Sequence, residues 1–147
     1  MQIRLRLARP EDGTDIWRWR NDPVSRQYSF NSEPIPLADH LIWWEASLAN
    51  SKRKTFILEN EQGQGLGSLR KDQTENGEIE LSWMIAPEYR GKGYGTTLLK
   101  LGLEGEKATC IALIKPENIA SCRMVEKLGF VKREPGLYEW VGKNTDR

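Results

Sequence analysis

Three observations predict a mixed α/β domain. Residues 2–8 and 77–86 alternate polar with apolar side chains, the period of a half-buried strand. Residues 37–49 set Leu37, Leu41, Trp44 and Leu48 three or four apart, the period of an amphipathic helix. Between Glu80 and Leu99 an apolar strand pattern empties into a basic, glycine-rich turn and then a second helical pattern.

Taken in order, the first strand carries Ile3, Leu5 and Leu7 on one face. Pro10-Glu-Asp opens a helix, because proline suits its first turn and the acids suit its dipole. Ile16, Trp17 and Trp19 carry that helix to Asn21-Asp-Pro23, where it stops. Residues 24–36 read as an irregular loop before the helix at 37–49. Residues 54–59 and 65–71 form a hairpin around Asn60-Glu-Gln-Gly-Gln64. The strand at 77–86 puts Glu78, Glu80, Ser82 and Met84 on one face and Ile79, Leu81, Trp83 and Ile85 on the other. A helix at 93–104, a strand at 109–114, a helix at 117–128 and strands at 130–133 and 137–141 complete the chain. The order is β-α-α-β-β-β-α-β-α-β-β, seven strands and four helices without repeats. Residues 1–143 read as one domain and 144–147 as a disordered tail.

The chain has 147 residues, the size of one domain able to bury about two-thirds of its unfolded surface. Its 22 basic and 21 acidic residues nearly cancel, which argues against nucleic acid or an anionic membrane as the main partner. Cys110 and Cys122 match neither a disulfide framework nor a metal-ligand spacing, so no metal is expected. With no signal-peptide pattern at the start, a reducing cytoplasm is the expected compartment. No apolar run reaches the roughly 20 residues that span a bilayer.

The turn Arg90-Gly-Lys-Gly-Tyr-Gly95 carries the chemistry. Gly91, Gly93 and Gly95 lack a Cβ, so backbone N–H groups can close on an anion while Arg90 and Lys92 add charge. The helix that follows adds unpaired donors and the positive end of its dipole. A Walker loop is excluded, because Lys92 precedes Gly93 rather than serine or threonine. A dinucleotide fingerprint fails too, since Thr96 stands where its third glycine belongs.

This segment closely resembles the pyrophosphate-binding turn of the GNAT N-acetyltransferases. Downstream, Asn118-Ile-Ala-Ser-Cys-Arg-Met-Val-Glu-Lys-Leu-Gly-Phe130 resembles the second GNAT signature. The resemblance implies a mixed central sheet with helices on both faces and acetyl transfer from acetyl-coenzyme A to an amine by direct attack. It implies that the backbone from Arg90 through Tyr94 to Thr96 holds the pyrophosphate and that Met84, Ile85 and Ala86 pair with the pantetheine arm. Asn118 would flank that arm, with Ser121 and Arg123 as coenzyme neighbours; asparagine there also serves as an ordinary helix cap.

An attacking amine must shed a proton, since an alkyl ammonium with a pKa near 10 is protonated at pH 7. Glu80 is the first candidate base and Glu78 the second, against the plainer reading of two solvated glutamates. The family's usual tyrosine for the departing thiolate is replaced by Val125, leaving Tyr138, Ser121 or solvent as proton donor. Tyr138 also reads as an ordinary sheet aromatic.

The front of the chain resembles acetyltransferases of amino-sugar nucleotides on the route to pseudaminic- and legionaminic-type sugars. The resemblance rests on Trp19-Arg-Asn-Asp22, Val24-Ser-Arg26, Ser29-Phe-Asn31, Ile35, His40 and Trp43-Trp44. It implies a nucleotide-linked amino sugar as acceptor, with Arg20 and Arg26 supplying charge, tryptophans stacking, and Asn21, Asn31 and His40 hydrogen-bonding. Trp17 and Trp44 equally suit the core, and His40 a structural role. Two alternatives stand beside this reading: acetylation of a protein or peptide amino terminus, and a coenzyme-binding module without catalysis. Neither oligomeric state nor acyl length is written in these motifs.

Overall fold

The computed structural model describes residues 2–142; the expected tail at 144–147 lies outside them. Seven strands form one sheet in the order β1-β2-β3-β4-β5-β7-β6. They are β1 (Arg4–Leu7), β2 (Arg53–Glu59), β3 (Gly65–Gln73), β4 (Ile79–Ile85), β5 (Cys110–Leu113), β6 (Val131–Glu134) and β7 (Leu137–Trp140). Every neighbouring pair is antiparallel except β4 and β5. That exception follows from chain order, because β4 and β5 are joined by a helical crossover instead of a hairpin.

The helices are α1 (Gly13–Asn21), α2 (Pro23–Tyr28), α3 (Leu37–Ala49), α4 (Tyr94–Leu103) and α5 (Ile119–Lys127). Adjacent strand residues point to opposite faces, so Ile57 and Leu58 enter different cores. Leu58, Leu69 and Leu81 pack with Leu98 and Leu99 of α4 and Val125 of α5. Ile57 packs instead with Ile16 and Trp19 of α1 and Trp44 of α3. Helices thus cover both faces of a mixed sheet, as expected. Each fully buried leucine, such as Leu69, contributes about 1.5–3 kcal/mol relative to exposure.

One element departs from the sequence reading. Residues 24–36 were expected to be irregular, but Pro23–Tyr28 is a helix. Asn21-Asp-Pro23 ends one helix and starts another: the Asp22 carboxylate accepts from the backbone N–H of Val24 at 3.0 Å and of Ser25 at 3.3 Å, and Pro23 occupies the first turn. Among the described residues no helix is long and apolar enough to cross a membrane.

Candidate active site

The region expected to take the coenzyme begins where β4 and β5 part. Their pairing runs only from Ile79↔Cys110 to Leu81↔Ala112, while β4 continues to Ile85. Ile79 N–H donates across to Thr109, and Ala86 N–H donates the other way, to Leu66 on the β3 side. Backbone polarity alternates along a strand, so the peptide groups of Trp83 and Ile85 face the gap and those of Met84 and Ala86 face β3. The gap is an unpaired strand edge of the kind an extended amide chain can complete.

At the end of this edge lies the glycine turn. Gly91 and Gly93 have φ of +76° and +83°, and a Cβ built on either would meet no atom within 4 Å. Both therefore hold a conformation that side chains resist, beside open space. Gly93 caps α4 without a side-chain bond, which leaves the first-turn N–H groups of α4 facing outward. Across the gap, Asn118 accepts from Ser121 N–H at 3.3 Å and caps α5. Gly91, Gly93, Tyr94, Gly95, Thr96, Asn118 and Ser121 all line one cavity of about 790 Å3.

The same cavity continues beneath α1 and α3, and there its wall is side chains. Glu80, Ser82 and Met84 point into it from β4, with Ser68 and Arg70 from β3. Arg20 lies on the Trp43 indole, 4.7 Å from the ring centroid, with Arg53 at 5.7 Å and Arg70 at 5.8 Å from that centroid. Asp72 neutralises two of these cations, at 2.5 Å from Arg53 Nε and 2.9 Å from Arg70 Nε. Arg20 has neither ion pair nor hydrogen bond among the described residues. Burial, reinforced by repulsion from Arg70 and Arg53, lowers its pKa from the usual guanidinium value. An uncompensated cation on an aromatic face is a receptor for an oxyanion. Arg70 sits diagonally from Glu80 across the β3–β4 pair, positions roughly 7–8 Å apart.

Several expected site residues are placed elsewhere. Glu78 lies just before β4, outside the cavity lining, its N–H bonded to Thr74. Tyr138 is in the core; the neighbouring Cys122 thiol and burial push its phenol up to about 12, and it does not line the cavity. Val125 is fully buried. Asn21 ties down a loop, donating to the Ile35 carbonyl and accepting from Ile35 N–H, both at 2.8 Å. Arg26 Nε donates to the Asn21 carbonyl at 3.1 Å. His40 is buried against Trp43 and Trp44, 2.9 Å from the Gly13 carbonyl. A carbonyl only accepts, so Nε2 carries the proton, and burial lowers the imidazole pKa. Asn31 lines the cavity mouth. Lys92 and Arg123 are exposed and outside the lining, and Arg90, which lines it, pairs with Asp22 at 2.7 Å.

Two contributors escaped the sequence reading. Arg70 and Ser68 come from the hairpin, where only the β3–β4 register reveals that they share a face with Glu80. The signal was parity along β3, which has meaning only once the strand partner is known.

The acetyltransferase (GNAT) domain model matches residues 2–131 of this chain. The chain belongs to the GNAT acetyltransferase family. It is 28% identical over 88% of its length to the L-methionine sulfoximine/L-methionine sulfone acetyltransferase of Pseudomonas paraeruginosa, covering 81% of that protein. It is 26% identical over 95% of its length to an uncharacterized protein of Methanocaldococcus jannaschii, of which it spans only 30%. The fold is shared with spermidine N-acetyltransferase from Vibrio cholerae in complex with CoA and spermine, at a TM-score of 0.83 and 20% identity, covering 94% of this chain and 92% of that one. The unpaired β4 edge, open glycine turn and α4 N-terminus of this GNAT acetyltransferase are compatible with the amide arm and pyrophosphate of acetyl-coenzyme A, the donor that the family resemblance implies.

Proposed function

We propose that this acetyltransferase acylates the primary amine of a small anionic acceptor, a nucleotide-linked amino sugar in the first instance. The observation that carries the reading is Arg20, a half-buried cation without a counter-ion, held on Trp43 at the acceptor end of the cavity. A nucleotide sugar brings phosphates for that cation, a base for the indole and an amine for Glu80. Glu80, on the cavity wall, takes the ammonium proton directly or through water, and the freed nitrogen attacks the thioester carbonyl. The C–N bond forms as the C–S bond breaks, the nitrogen releases its second proton to solvent, and the thiolate receives a proton from solvent, directly or through Ser121, which solvent reprotonates. The β4 edge orients the donor, and the α4 N-terminus holds its phosphates. The cytoplasm is the proposed compartment, consistent with two free cysteines.

A second acceptor fits the same cation. The Pseudomonas relative is named for two amino acid derivatives, whose carboxylate would occupy the Arg20 position. Thiol release from acetyl-coenzyme A is the test, measured on UDP- and CMP-linked amino sugars, free amino acids, peptide amino termini and polyamines. Turnover confined to amino-sugar nucleotides supports the first reading, and turnover confined to amino acids replaces it with the second. Activity only on peptides or polyamines removes the role given to Arg20. Tight coenzyme binding with no turnover favours the module without catalysis.

A further inference from the structure

Arg90 belongs to the glycine turn, where a basic side chain is expected to face the phosphates. Its guanidinium turns away. One terminal nitrogen, Nη2, donates to Asp22 Oδ2 at 2.7 Å and to Ser25 Oγ at 2.9 Å. The same Asp22 oxygen accepts the N–H groups of Val24 and Ser25, so one carboxylate joins the phosphate turn to the first turn of α2. The pair is shielded, with side-chain exposures of 31% and 19%, which sets it apart from a freely solvated surface ion pair.

Other bonds fasten the same stretch of chain. Lys115, in the loop between β5 and α5, donates to the Gln27 carbonyl at 3.3 Å, and its ammonium lies 6.0 Å from the Phe30 ring centroid. At the far end, Trp17 and Asn21 of α1 both donate to the Ile35 carbonyl, at 2.7 and 2.8 Å. Val24, Ser25, Tyr28, Ser29 and Phe30, on the inside of this strap, line the acceptor end of the cavity. The coenzyme anion can be met without Arg90, because the turn and α4 already present backbone donors to it. The Asp22 carboxyl agrees with this bonding: burial works to raise its pKa, but the Arg90 and backbone bonds outweigh it and hold it below the usual carboxylate range.

We infer that Arg90 is a positioning residue for the acceptor, not a ligand of the coenzyme phosphates. Its ion pair with Asp22 clamps residues 22–30 to the phosphate turn and so sets the wall against which the amine is presented. The effect on the acceptor rests on the acetyl transfer proposed above; the clamp itself does not.

Coenzyme A calorimetry and amide hydrogen exchange, neither of which needs an acceptor, test the clamp. In Arg90→Ala, exchange at residues 24–28 should accelerate by about tenfold or more, the scale of a lost charge-assisted bond, while the coenzyme A dissociation constant moves less than about threefold. Asp22→Asn should accelerate the same amides, and Arg90→Lys should restore part of the protection. With the acceptor found by turnover, Arg90→Ala should raise its KM more than it lowers kcat. A coenzyme affinity weakened about tenfold with exchange unchanged would make Arg90 a phosphate ligand and overturn the inference. Unchanged exchange in Asp22→Asn would overturn it as well, and that variant reads the pair should Arg90→Ala fail to fold. If exchange and coenzyme binding behave as stated but no acceptor is turned over, the acceptor reading fails and the clamp stands.

Discussion

At the start of α4 the cavity wall is backbone: two glycines at positive φ, the first-turn N–H groups and a strand edge released by β5. Under α3 the wall is long side chains, with Arg20 from α1, Trp43 from α3, Arg70 from β3 and Glu80 from β4. The first region is contiguous in sequence and, on the proposed reading, recognises what every acetyl-coenzyme A molecule shares. The second is gathered from four elements, and the identity and charge of its side chains determine what it accepts. A backbone-built site tolerates change around it but not at its glycines. A site built from side chains can be retuned one residue at a time, and on the proposed division each such change should affect the acceptor and leave the coenzyme alone.

The sharpest break of that contrast is Gly93→Trp. It forces a side chain into φ +83° and fills the space the phosphates need, and coenzyme A affinity by calorimetry should fall by about 100-fold or more. An unchanged affinity would move the coenzyme site elsewhere. Next in size, Glu80→Gln should lower kcat at pH 7 by about 100-fold, with a smaller loss at high pH where the free amine is abundant. A pH–rate profile parallel to the parent's would remove Glu80 as base. Arg20→Met keeps contact with Trp43 and removes only the charge; acceptor KM should rise by about tenfold at unchanged coenzyme affinity. Loss of both affinities together would contradict the division of the cavity into two halves. The smallest effect belongs to Tyr138→Phe, which should leave kcat unchanged and cost at most about 1 kcal/mol of stability by denaturant unfolding, because its phenol lies beside the Cys122 thiol and outside the cavity lining. A kcat lowered tenfold or more would return Tyr138 to the reaction.

The same contrast explains what could be read in advance. Gly91, Gly93 and Gly95 are near neighbours whose expected role depends on lacking a side chain, so their spacing alone suggests an anion-binding turn. Arg26, Asn21 and His40 have the chemistry of substrate ligands, yet each is engaged structurally, by the Asn21 carbonyl, the Ile35 backbone and the Gly13 carbonyl respectively. Residue type cannot disclose which partner wins when a nearby backbone carbonyl and a ligand compete for one donor. Arg20 shows the converse: nearby carboxylates at Asp12 and Asp22 offered pairing, but these went to Arg6 and Arg90, leaving Arg20 on the indole. Likewise Asp22-Pro23 signalled both the end of α1 and the start of α2, and only the carboxylate's bonds to Val24 and Ser25 reveal the second role.

From the sequence by itself came the alternation of strands and helices, the two faces of β4 and the glycine-rich turn, while the missing tyrosine at Val125 was legible only through the family resemblance. The first three are local, set by periodicity of 2 or 3.6 residues or by the steric freedom of glycine. The tertiary structure alone decided the departure of β4 from β5, the convergence of three guanidiniums on Trp43, the withdrawal of Tyr138 and Glu78 from the cavity, and the turning of Arg90 towards Asp22. Those depend on strand register and on competition among distant charges, quantities that exist only after the chain has brought residues far apart in sequence into contact.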